Sequence, residues 1–145
     1  MPTPAEIGVA AWHAYTRNAN AETLDPILAE DVVFHSPVVH TPQEGKAVTK
    51  LYLLAAFNVF PGDAPEKGDG EKSLGKFRYV REVLAERDAI LEFETEMDGI
   101  FVNGVDMIRF DDAGKIVEFK VMIRPLKAIQ KVHAQMGAML KAMSK

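Results

Sequence analysis

The chain begins with helical spacing and later switches to alternation. Ile7, Ala11, Ala14 and Tyr15 recur three and four positions apart, with Trp12 beside that stripe. Thr3-Pro4-Ala5-Glu6 ahead of them is a capping box with proline at the first helical position, so the pattern predicts a helix from about Pro4 to Asn18. "NANAE" breaks it. Leu24, Ile27 and Leu28 then mark a short second helix, capped by Thr23 with Pro26 in its first turn. The β-branched run "DVVFHSPVVH" predicts a strand that Pro37 interrupts, because proline has no N–H to give to a ladder. "TPQEGKAVTKLYLLAAFNVF" returns to helical spacing, with Val48, Leu51, Tyr52, Ala55 and Val59 on one face.

Residues 61–76, "PGDAPEKGDGEKSLGK", carry glycine, proline and charge without periodicity and read as a long surface loop. Beyond them the period is two. "KFRYVREVLAE", "DAILEFETEM", "IFVNGVDMIRF" and "KIVEFKVMIRP" predict four strands, with hairpin signals at "AERDA" and "DDAG". In the second of these, Glu92, Glu94 and Glu96 share one face, and Leu91, Phe93, Thr95 and Met97 share the other. One face wet and one dry is the signature of an antiparallel sheet covered on one side. The tail closes with an amphipathic helix whose stripe is Leu126, Ile129, His133, Met136 and Leu140 or Met139. Helices followed by a run of antiparallel strands define an α+β class: a curved sheet wrapped around N-terminal helices as an open cone, with an extra C-terminal helix. A single domain over residues 1–145 is expected, since the length suits one core and there are no repeats.

Charge and composition narrow the partners. A net charge of −4 with dispersed Lys and Arg argues against nucleic-acid binding. The longest apolar run, from Leu51, is too short to span a bilayer, and the N-terminus lacks a basic region before an apolar stretch. With no cysteine there is no disulfide, thiolate metal site or cysteine nucleophile, and a cytoplasmic location is expected. Neither a metal nor a cofactor is expected, because no His-x-His or His-x-x-x-His spacing occurs.

The strongest chemical signal is Asp106, which shares its strand face with Ile108 and Phe110. Facing an apolar interior, an aspartate must be protonated, paired or hydrogen-bonded, and Trp12, Tyr15 or a buried water could supply the bond. With no cation near, its pKa rises and it becomes a donor at neutral pH. His35 and His40 flank Pro37; if Ser36 faces inward, His35 faces the outer side of the sheet and His40 lies near the cone's mouth. Ser36 lacks a nucleophile elbow and reads as a polar pocket residue or a hydroxyl capping a turn.

"AEDVVFHSPVV", "GKAVTKLY" and "VDMIRFDDAGKIVEFKV" together resemble the nuclear transport factor 2-like superfamily, in particular its SnoaL-like and ketosteroid-isomerase-like members. The resemblance implies that Phe34, Ser36, Asp106, Ile108, Phe119, Val121 and Ile123 face a cavity. It puts Ser36 where ketosteroid isomerases carry a base aspartate, Trp12 where they carry an oxyanion-hole tyrosine, and Asp106 where they keep an acid neutral to donate a hydrogen bond. Asp106 and His40 are therefore the catalytic candidates. Trp12, Tyr15 and Phe93 join the inward-facing residues as ligand-binding candidates. The superfamily hosts many reactions, so two classes stand side by side. One is an isomerase- or lyase-type acid–base enzyme acting on an apolar carbonyl compound. The other is a non-catalytic module that binds an apolar ligand or dimerises. A homodimer through the outer sheet face is expected in both, since Ile90, Met107, Val117 and Met122 lie there among charges.

Overall fold

The computed structural model describes residues 1–59 and 77–143, so the predicted 61–76 loop and the side chain of Val59 lie outside the described residues. The elements run α1 (Pro4–Arg17), α2 (Ala21–Leu24) with a 3-10 turn at Asp25–Ile27, β1 (Leu28–His35), β2 (Gln43–Glu44), α3 (Lys46–Val59), β3 (Arg78–Leu84), β4 (Asp88–Met97), β5 (Ile100–Phe110), β6 (Ile116–Arg124) and α4 (Leu126–Met143). The six strands form one open, curved sheet in the order β2-β1-β6-β5-β4-β3, antiparallel except where β1 runs parallel to β6.

The capping box forms as expected. Glu6 N–H donates to Thr3 Oγ1 (3.1 Å) and Thr3 N–H donates to Glu6 Oε1 (2.9 Å). The buried stripe of α1 is rotated from the predicted one: Ala5, Val9, Trp12 and Tyr15 are inside, while Ile7 and Ala14 are exposed. Trp12 sets the face, because it has the largest apolar surface of the helix to hide. The second helix is capped by Asn20 rather than Thr23, its side chain accepting the Thr23 N–H at 2.9 Å. Leu28 begins β1 instead of ending a helix, and the strand stops at His35, short of Pro37. Gln43–Glu44 form a short strand, so α3 starts at Lys46. Along α3, Thr49, Leu53 and Ala55 are buried, and Val48, Leu51 and Tyr52 are half-buried. That helix packs against both β1 and α4, so no single stripe describes it.

Alternation along β4 and β5 is unbroken: Ala89, Leu91, Phe93, Thr95 and Met97, then Val102, Gly104, Asp106, Ile108 and Phe110, are buried on one face. Gly114 takes φ +87°, the left-handed value that the predicted "DDAG" turn requires. The helix α4 lies on this same inner side, packing against α3, β6 and β5. Its buried residues are Ala128 and Val132, joined to Phe93, Met97 and Val102, with Met136 beside them. The predicted stripe is thus displaced: His133 is exposed and Leu126 is 67% exposed. A gap between the aromatic ends of α1 and β3 and this second cluster is the cavity described next.

Candidate active site

A cavity of about 480 Å³ opens between α1, α4 and the inner face of the sheet, within the ~300–1,000 Å³ typical of small-molecule sites. Its walls are mostly apolar: Phe34 from β1, Phe93 from β4, Phe119, Val121 and Ile123 from β6, and Val132 and Met136 from α4. Aromatic packing fixes them. Phe77 stacks on Phe93 with ring centroids 4.9 Å apart, and Trp12 leans on Phe119 at 4.9 Å.

Three polar groups from three elements meet in this apolar shell. Trp12 Nε1–H donates to the Tyr79 hydroxyl at 2.9 Å, and Tyr79 O–H donates to Asp106 Oδ2 at 2.6 Å. Register explains how β3 reaches β5 across the intervening strand. Tyr79 pairs with Phe93, Phe93 with Gly104, and Asp106 lies two residues along from Gly104. A Cβ on Gly104 would lie 2.4 Å from Phe93 Cζ and 2.7 Å from the Met122 carbonyl, so only glycine lets the Phe93 ring lie against β5. Tyr79 meets that ring edge-on, with centroids 6.3 Å apart.

The order of donors in this chain has a chemical consequence. An indole N–H can only donate, so the Tyr79 oxygen must accept from Trp12 and direct its own proton to Asp106 Oδ2. A proton held by Asp106 therefore sits on Oδ1, which has no hydrogen-bond partner among the described residues. Asp106 lines the cavity and is only 5% exposed. Burial pushes its carboxyl up to about 7, against the Tyr79 hydrogen bond, which pulls it down. Tyr79 is driven well above the usual phenol range by burial first and then by the neighbouring Asp106, so it stays protonated. The result is a buried acid whose hold on its proton is raised toward neutrality, next to a tyrosine that accepts from Trp12 and donates to the acid.

A second pair stands at the rim. The ring of His13, on α1, lines the cavity, and its Nε2 bonds Glu82 Oε2 from β3. His13 also meets Tyr79 edge-on, with ring centroids 5.6 Å apart. A bulge makes this pairing possible. Tyr79 pairs with Phe93 but Arg81 with Glu92, leaving Val80 as an extra residue. Glu82 therefore returns to the inner face, where strict alternation from Tyr79 would have sent it outward.

Of the sequence candidates, Asp106, Trp12, Phe34, Phe93, Phe119, Val121 and Ile123 come together around the cavity. Tyr15 and Ile108 are buried in the adjoining core rather than in the cavity wall, and burial raises the Tyr15 hydroxyl. Ser36 Oγ accepts the N–H groups of Val38 and Val39 at 3.0 and 3.1 Å, so it caps the turn after β1 and is not among the lining residues. His40 is exposed on the following loop, apart from the cavity. His35 faces outward and contacts Glu118 at 2.9 Å. Sequence reasoning missed Tyr79 and Glu82, and read His13 only as a surface or rim residue on its helix, without its carboxylate partner. The phase shared by Phe77 and Tyr79 in "KFRYV" pointed to Tyr79, whereas a bulge left no signal for Glu82.

No protein-family model and no curated protein matches the chain. Solved structures do. A steroid delta-isomerase from Pseudomonas aeruginosa is 32% identical, with a TM-score of 0.83 over 97% of this chain and 93% of that one. An uncharacterized protein with a cystatin-like fold from Silicibacter pomeroyi is 25% identical, with a TM-score of 0.76 over 90% and 83%. A nuclear transport factor 2-like protein of unknown function from Mesorhizobium loti shares the fold at 17% identity, TM-score 0.65, over 86% and 97%.

Proposed function

Because the chain belongs to the nuclear transport factor 2-like superfamily, we propose that its cavity holds a small apolar carbonyl compound and that Asp106 exchanges a proton with the carbonyl oxygen. The observation that carries this reading is the position of Asp106: buried in an apolar cavity, titrating near 7, with Oδ2 taken by Tyr79 and Oδ1 left for a ligand. A carbonyl oxygen beside Oδ1 would accept its hydrogen bond, and negative charge developing on that oxygen strengthens the bond. Tyr79 would hold the resulting carboxylate. The likeness to a steroid delta-isomerase supports an isomerase-type proton transfer, and a fused-ring ketone suits the apolar walls.

The direct test is turnover of a β,γ-unsaturated ketosteroid, followed by the ultraviolet absorbance of its conjugated product. Asp106→Asn should lower turnover by ~10²–10⁴-fold while leaving the fold intact. Turnover equal to that of the wild type would remove Asp106 from the mechanism.

Pairing of two copies through the outer sheet face is a second part of the proposal. Because α4 covers the inner side, Val83, Ile90, Val105 and Met122 line an open groove on the outer one. Arg81–Glu92 and Arg109–Asp88 ion pairs flank it. Sedimentation at micromolar concentration should give twice the 16.0 kDa chain mass; a 16.0 kDa species would end this part of the proposal.

A further inference from the structure

An acid that supplies a proton to a carbonyl oxygen needs a base to take one from the neighbouring carbon, and the strand-one position that Asp occupies in ketosteroid isomerases is Ser36 here, closed on its own turn. We infer that His13, oriented by Glu82, is that base. This rests on the proposed role of Asp106 and adds a catalytic residue to it. Several observations converge. His13 lines the same cavity as Asp106. Its Nε2 is engaged by a carboxylate, which can only accept, so the neutral ring carries its proton on Nε2 and keeps the lone pair on Nδ1. The ring makes no other hydrogen bond among the described residues. At 28% exposed, its side chain is partly withdrawn from water, and the edge of Tyr79 fixes its tilt. The bulge at Val80 turns Glu82 inward toward it.

The step balances with the groups present. His13 Nδ1 takes a proton from the carbon next to the carbonyl. The pair from that C–H bond becomes a new C=C bond, the C=O π pair moves to oxygen, and oxygen takes the proton from Asp106 Oδ1. The products are an enol, an imidazolium beside Glu82 and a carboxylate beside Tyr79. Return of the imidazolium proton to the α-carbon, or to the γ-carbon of the dienol formed from a β,γ-unsaturated ketone, and of the enol proton to Asp106, restores both groups. Each charge created has a partner already in place: Glu82 for the imidazolium, and the Tyr79 hydroxyl for the carboxylate.

The test uses β-tetralone, a fused apolar ketone, dissolved in deuterated buffer with the full-length protein, and mass spectrometry follows deuterium entering its α-carbon. The wild type should accelerate exchange. His13→Gln, and independently His13→Asn, should slow it by ~10²-fold or more, with affinity for the ketone changed by no more than about threefold. Glu82→Gln acts through its neighbour, so its readout is the ¹⁵N spectrum of His13: loss of the carboxylate should raise the share of the tautomer protonated on Nδ1. Exchange in both His13 variants equal to that of the wild type, while Asp106→Asn is slow, overturns His13 as the base and leaves Asp106 standing. A wild type that binds the ketone without exchanging its α-hydrogens also overturns the base. Exchange undiminished in Asp106→Asn, or no binding of the ketone, overturns the proposed function and this inference with it.

Discussion

Asp106→Asn offers a test of the buried acid that needs no substrate. In the unfolded chain the carboxyl titrates at its ordinary 3.8, and in the folded protein at about 7. Between those values the folded state holds a proton that the unfolded state has released. Stability from this group is therefore complete below about pH 4 and is lost as pH rises through 7. At ~1.4 kcal/mol per pH unit, the full difference is about 4 kcal/mol, of which roughly 2.5 kcal/mol falls between pH 5 and pH 8. The asparagine variant keeps the shape and removes the titration of this group, so the difference between the two proteins reads Asp106. Urea unfolding of the two proteins across this range should give a gap that grows with pH in favour of the variant. With a slope of ~1–3 kcal/mol per molar urea, the relative midpoint should move by about 0.8–2.5 M. Stability curves that stay parallel from pH 5 to pH 8 would refute a raised Asp106, and with it the chemistry built on it.

Other perturbations follow from the same geometry. Tyr79→Phe removes the hydrogen bond that lowers Asp106. The carboxyl should titrate above 7 in a ¹³C NMR experiment, and loss of the Trp12–Tyr79 hydrogen bond should cost ~1–3 kcal/mol in chemical denaturation. Gly104→Ala places a methyl group against Phe93 and the Met122 carbonyl. Since backbone cannot yield cheaply, it should destabilise by ~1–3 kcal/mol in thermal or urea unfolding and displace the Phe93 ring, read by its NMR shifts. Met122→Glu puts a charge into the outer groove, and under the proposed pairing sedimentation should change from a two-chain to a single-chain species, with any ketone binding of the wild type retained.

Period-two patterning made the sheet legible, and with it the inward aim of Asp106 and of Phe93, Phe119, Val121 and Ile123. It could not identify what Asp106 bonds to. That depended on β3 lying two strands away with Tyr79 in register with Phe93 and Gly104, and pairing register is a property of the assembled sheet. Helical stripes were less reliable than strand alternation. Both α1 and α4 carry apolar residues over more than half a turn, and neighbours decided which of them face inward: Trp12 for α1, and contact with α3 and β6 for α4. Ser36 and His40 follow the end of β1, where alternation no longer applies; one closes a turn and the other meets solvent. The Glu82–His13 pair was hidden because a bulge shifts phase without any mark in composition.

That bulge also decides which changes in length the cavity mouth tolerates. Val80 is the residue that the β3–β4 ladder leaves over, so a chain lacking it would run straight from Tyr79 to Arg81, with Arg81 still opposite Glu92 and Glu82 still opposite Leu91. A three-nucleotide deletion at that codon would straighten the strand and leave the polarity of the mouth as it is. Drawing Val80 into the ladder with no deletion would do the reverse: Arg81 would turn toward the cavity, Glu82 would turn away from it, and His13 would lose its carboxylate. Among relatives, a one-residue gap at this place therefore marks a straighter strand with the same inward carboxylate.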